Sequence, residues 1–183
     1  MNFTWTIALI GLTFGQLPDA KLYEVNEGSV YFRSYAPLEL IEASSTELKG
    51  LINTEERTFA FSVPMSSFEG FNSPLQRVHF NENYMESKQY PNATFSGKII
   101  ENIDFTKDGL YTVRAKGQLN VHGIKRERII RSELQVGEGQ IEVRADFTVL
   151  LAEHDISIPK IVHQKIAEEI AVEIRAVFLP KTP

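Results

Sequence analysis

The chain has 183 residues, 43% hydrophobic and 23% charged, a composition that suits one globular domain with a continuous core. Its net charge of −5 argues against general nucleic-acid affinity, which needs a concentrated basic surface. The absence of cysteine excludes disulfides, thiolate metal sites, a cysteine nucleophile and a lipid-anchored N-terminal Cys.

Residues 1–20 read as a cleavable signal peptide, leaving 21–183 as the mature domain. The apolar run from Trp5 to Phe14 is too short to span a bilayer comfortably, and small residues permit cleavage after Gly15 or after Ala20. No Lys or Arg precedes the run, so a first strand or an uncleaved anchor are its other readings. No second apolar run of membrane length follows. No integral membrane segment is therefore expected in the mature chain, whose expected location is periplasmic or secreted.

Beyond the leader the recurring pattern is alternation with period two, the signature of half-buried strands. Val30, Phe32 and Ser34 oppose Tyr31, Arg33 and Tyr35 before Pro37 stops the run, and Leu38 to Ala43 starts another. Leu48, Gly50 and Ile52 alternate next, and then Phe59, Phe61, Val63 and Met65 share one face. Short strands separated by polar turns are the spacing of an all-β meander.

Residues 66–92 break that pattern. A turn-rich stretch leads to Pro74, after which Leu75, Val78 and His79 stand at helical spacing, predicting a short helix from about Pro74 to Asn83. Phe68, Phe71, Leu75, Val78, Phe80, Tyr84 and Met85 give the insert enough apolar weight to lie across an opening of the sheet.

Strands resume at Thr94, with Phe95, Gly97 and Ile99 on one face. A long strand carries Tyr111, Val113, Ala115, Gly117, Leu119 and Val121 on one side, and Gly123 permits a tight turn. Ile130, Ser132, Leu134 and Val136 lead into Gly137-Glu138-Gly139, a hairpin turn, and Ile141 to Leu151 forms another long strand. From Ala167 to Phe178 the Glu and Ala content favours helix, but Ile170, Val172, Ile174, Ala176 and Phe178 alternate strictly. The alternation predicts a strand, preceded by a helical turn near Ile161 to Ile166. Pairing this last strand with the Val30 strand would close the sheet and remove its edges. The predicted fold is an all-β antiparallel barrel of about eight strands with a short helical insert.

The sharpest local motif is Gly117-Gln118-Leu119-Asn120-Val121-His122-Gly123-Ile124-Lys125-Arg126, a strand running through a His-Gly turn into a basic strand start. Phe80-Asn81-Glu82-Asn83-Tyr84-Met85 and Tyr90-Pro91-Asn92-Ala93-Thr94-Phe95 accompany it. With these motifs the chain resembles the YceI-like family of small exported proteins over residues 24 to 178, and the Phe80 motif resembles a bacteroidete-type branch. The resemblance implies a lipocalin-like barrel and, in members of the family, a long isoprenoid chain held in an interior tunnel.

On that footing the expected function is an exported binding protein that holds a hydrophobic or amphipathic ligand, an isoprenoid or another lipid. Phe59, Phe61, Phe80, Phe95, Val113, Leu119, Val121, Phe147 and Val149 are the expected tunnel wall. The alternative is a barrel with a solid core that acts as an interaction or stress-response module through the 66–92 insert. His122 and Arg126 are candidate headgroup contacts, although strand parity separates Lys125 and Arg131 from Arg126 and Arg128, so the basic residues cannot all converge on one anion. The four His residues, at 79, 122, 154 and 163, are too scattered for a metal site. No nucleophile and base can be paired, so no enzyme activity is expected, and no cofactor is expected either. The expected partner is a hydrophobic small molecule or lipid, bound by a monomer or homodimer.

Overall fold

The computed structural model describes residues 21–181, and the expected signal peptide over 1–20 lies outside the described residues. Antiparallel pairing links strands that follow one another in sequence: β3 (Lys49–Asn53), β4 (Thr58–Pro64), β5 (Asn92–Ile99), β6 (Gly109–Val121), β7 (Ile124–Gly137), β8 (Gln140–Leu150) and β9 (Glu169–Pro180). β1 (Leu22–Tyr35) closes the ring, pairing with β3 on one side and β9 on the other. Val30 stands opposite Ile174, so the expected seam between first and last strands is the one that forms. The closed barrel has eight strands. A ninth, β2 (Leu40–Ser45), lies along the edge of β1 that β3 also uses, β3 against its first residues and β2 against its last.

β1 begins eight residues earlier than the Val30 alternation suggests. Its register against β9 jumps between Val25 and Glu27, a bulge that leaves Asn26 unopposed. Tyr23 and Val25 pack on the core from odd positions, whereas Val30 and Ser34 are buried from even ones. The extra residue reverses parity and hides the continuous strand from a period-two reading.

The hairpin turns follow from backbone chemistry. β6 and β7 are joined by His122 (φ 51°) and Gly123 (φ 75°), and β7 and β8 by Glu138 (φ 52°) and Gly139 (φ 74°). Two successive residues in the left-handed region match the twist of the strands they connect. The alternation in the last segment prevails over its helix propensity because β9 buries Ala176 and Phe178 between two paired neighbours.

The insert after β4 opens with a 3₁₀ turn (Met65–Ser67) and continues into α1 (Pro74–His79). Ser73 caps α1 by accepting a hydrogen bond from the Gln76 N–H at 3.2 Å, and Pro74 occupies the first helical position. The expected α-helix to Asn83 instead widens into a π-helical turn over Phe80–Tyr84, in which the Met85 N–H donates to the Phe80 carbonyl at 2.8 Å. The Asn81 side chain donates to the Arg77 carbonyl at 3.0 Å, supplying a partner within the widened turn.

Candidate functional site

The barrel interior is open in one half and filled in the other. The open half is a cavity of about 370 Å³ under the insert. Val30, Phe32, Val63, Val121, Val149 and Val172 wall it from the strands, and Phe68, Phe71, Phe80 and Met85 cover it from the insert. Four rings gather here: Phe32 lies 5.4 Å from Phe68, 6.0 Å from Phe71 and 5.5 Å from Phe80, nearly parallel to the last. Such ring packing fixes the insert to the barrel with more than area burial alone. The exposed members of the lining, Ser73, Leu75, His79 and Lys165, mark an opening between α1 and the turn that precedes β9.

The other half holds only a void of about 40 Å³ among packed side chains, including Phe59, Phe61, Phe95 and Val113. Phe61 is the cross-strand partner of Phe95, and Phe95 of Leu119, so these three make a continuous row across β4, β5 and β6. On β6, Val121 borders the cavity and Ala115 the void; on β8, Val149 borders the cavity and Ala145 the void. Leu119 and Phe147 fall between those levels and border neither space. Phe61, Phe95 and Leu119 thus form a floor beneath the cavity on the β4–β6 side of the barrel. Phe178, fully buried, supports it with its ring 5.6 Å from that of Phe61.

The few polar groups along the cavity are mostly engaged. Buried Ser34 accepts the Ala167 N–H on its Oγ at 2.8 Å. Glu39 accepts from the side-chain amides of Gln76 at 3.0 Å and Asn72 at 3.3 Å. Burial holds the Tyr84 phenol above its ordinary value of 10.0, so its hydroxyl stays protonated in an apolar surrounding.

His122 and Arg126 do not border the cavity. His122 sits at the β6–β7 turn, where Nε2 meets Glu86 Oε2 at 2.7 Å and Nδ1 meets the His154 carbonyl at 3.0 Å. Tyr90 stands edge-on to the imidazole with centroids 4.6 Å apart. Arg126 Nε donates to the Glu153 carbonyl at 2.8 Å, and Arg128 donates to the Thr148 carbonyl at 2.8 Å. These side chains clasp the end of the insert and the 151–154 segment to the barrel. His154 itself is fully buried: Nδ1 lies 3.1 Å from the Ile124 carbonyl, Nε2 has no partner among the described residues, and burial pushes its pKa below 6.5.

Of the expected wall, Phe80, Val121 and Val149 border the cavity. Phe59, Phe61, Phe95 and Val113 face inward but border the small void instead. Alternation gives the direction of a side chain and not its depth along the barrel, which is why the two groups could not be told apart. Missed from the sequence were Phe32, Met65, Ile156 and Val172, together with the placement of Phe68, Phe71, Tyr84 and Met85 against the cavity. The signal for the last four was available in the apolar weight of the insert. Among the described residues no cluster of three His, Cys, Asp or Glu side chains could hold a metal, and no helix is long and apolar enough to cross a membrane.

The family model of the YceI-like domain matches residues 28–178. Among solved structures, the chain is similar to a polyisoprenoid binding domain from Saccharophagus degradans implicated in plant cell wall breakdown. That match has a TM-score of 0.71 and 14% identity over 88% of this chain and 99% of the other. It is similar to BcnA of Burkholderia cenocepacia, with a TM-score of 0.68 and 12% identity over 82% and 95% of the two chains. The Campylobacter jejuni YceI protein aligns with a TM-score of 0.54 and 15% identity over 100% and 99%. No curated protein matches in sequence. At these identities the structural likenesses speak for the fold.

Proposed function

The chain belongs to the YceI-like domain family, and on that premise we propose that it is a non-catalytic binding protein holding a hydrophobic or amphipathic lipid in the cavity beneath the insert. The observation that carries this reading is the apolar cavity of about 370 Å³, which a barrel with a solid core would not contain. Sites for small hydrophobic molecules typically span about 300–1,000 Å³ and are lined mainly by apolar and aromatic side chains with a few polar groups. The similarity to a polyisoprenoid binding domain supports the same ligand class, an isoprenoid or another lipid.

Burial of each methylene gains about 0.8 kcal/mol. A dozen of them would gain about 10 kcal/mol before the costs of ordering ligand and protein are subtracted. That is enough for retention without any strong polar contact. Ser34 and Glu39 already have protein partners, so the lining offers positioning and little chemistry. The leader-like run in residues 1–20 supports export, which puts the carrier in the periplasm or outside the cell.

Native mass spectrometry of protein purified from its own source tests the reading. A co-purifying lipid, or uptake of a fluorescent fatty acid by delipidated protein, is the expected result. Ala93→Phe, which places a ring in the cavity, should reduce that uptake at least tenfold. A clean protein mass together with no uptake by the delipidated chain would overturn it.

A further inference from the structure

We infer that the aromatic floor sets a length limit on the ligand, so that this chain buries only a limited acyl or prenyl segment in the barrel and leaves the rest of a longer chain outside. The inference rests on the lipid-holding reading above and specifies the ligand that the same cavity takes. Three observations carry it.

First, the space is finite. At about 370 Å³ the cavity lies near the lower end of the range typical of small-molecule sites, about 300–1,000 Å³. Second, the space ends inside the barrel. Phe61, Phe95 and Leu119 adjoin across three strands, and beneath them the remaining void is about 40 Å³. A void of that size among Ile, Val and Phe side chains admits no further chain. Third, the floor is braced. Phe59 packs on Phe95 at 4.9 Å and Phe178 on Phe61 at 5.6 Å, so opening the lower half requires several rings to move together. The exposed members of the lining, Leu75 and His79 among them, stand at the insert end, where a longer chain would leave its surplus in solvent.

The test is a chain-length series of saturated fatty acids, from 8 to about 22 carbons, titrated into delipidated protein. Up to the limit, each methylene should tighten binding by as much as about fourfold. Within that series the affinity should level off at the length where added methylenes remain exposed. Phe95→Ala, or Phe61→Ala, removes part of the floor and should move the plateau to longer chains. Should those variants fail to fold, Ala93→Phe supplies the opposite displacement, a plateau at shorter chains. Affinity that keeps climbing to the longest acid overturns the length limit while leaving the lipid-holding function intact. So does a plateau that stays in place in every folded variant. If no acid of any length binds, the functional reading itself fails, and the length limit with it.

Discussion

Gly97 on β5 and Gly117 on β6 stand directly opposite each other, and neither has room for a methyl group. A Cβ at Gly97 would come within 2.1 Å of the Lys116 carbonyl oxygen and 2.5 Å of the Gly117 Cα; at Gly117 it would come within 2.2 Å of the Ser96 carbonyl oxygen. Backbone atoms cannot step aside as a flexible side chain can. The pair lets the two strands approach closely at one level of the barrel, where Phe59, cross-strand partner of Gly97, packs its ring 4.9 Å from that of Phe95. Gly97→Ala and Gly117→Ala should each cost about 3 kcal/mol or more, or prevent folding outright. Urea unfolding of the purified variants measures this. A loss below about 1 kcal/mol would show that the strands can separate locally at little cost.

Ser34 ties the end of β1 to the approach to β9 through a single hydrogen bond from the Ala167 N–H. Ser34→Ala leaves that donor without its partner at a buried site, a loss of about 1–3 kcal/mol. The expected outcome is a lower urea midpoint with an unchanged slope. Accelerated hydrogen exchange at Ala167 would locate the effect.

The Glu86–His122 contact fastens the far end of the insert to the β6–β7 turn. Glu86 is about half exposed, which limits the contribution of the pair to about 1 kcal/mol. Glu86→Gln should therefore leave global stability nearly unchanged while raising hydrogen exchange across residues 80–90. His122→Ala should do more, because it also removes the contacts to Tyr90 and to the His154 carbonyl. Equal exchange in both variants and the parent would mean that the Phe32 ring cluster alone holds the insert.

His154 gives stability a dependence on pH with a definite sign. The unfolded chain binds a proton at His154 near its ordinary value of 6.5, whereas burial keeps the folded side chain neutral to lower pH. Its contribution is complete above about 6.5 and is lost as pH falls toward the folded value, because protons then favour the unfolded state. His154→Gln should be less stable than the parent at pH 8, with the gap narrowing as pH falls below 6.5. Parallel denaturation series over that range would check it; a constant gap would remove His154 as a source of the pH dependence.

Much of the barrel was legible because its strands are long and regular. From Tyr111 to Val121 and from Ile141 to Val149, alternate positions face the core without interruption, and even the helix-prone Ile170 to Phe178 segment obeys the pattern. What escaped were departures from periodicity: the bulge beside Asn26, the π-helical turn at Phe80 and the fill of the lower barrel. The first two depend on which backbone groups find partners locally. The third depends on how rings from β4, β5, β8 and β9 meet across the interior, and no single strand encodes that.

The seam between β1 and β9 also orders events in time. Tyr23 pairs beside Pro180, so one edge of the first strand acquires its partner only after β9, the last of the described strands, has been made. Its other edge can be occupied early, by β2 and β3, which follow within thirty residues or so. The nascent chain therefore emerges as an open meander whose closing contacts join the first and last of the described strands, a topology associated with slow folding. Until β9 arrives, the barrel is a ribbon with a free edge and no inside.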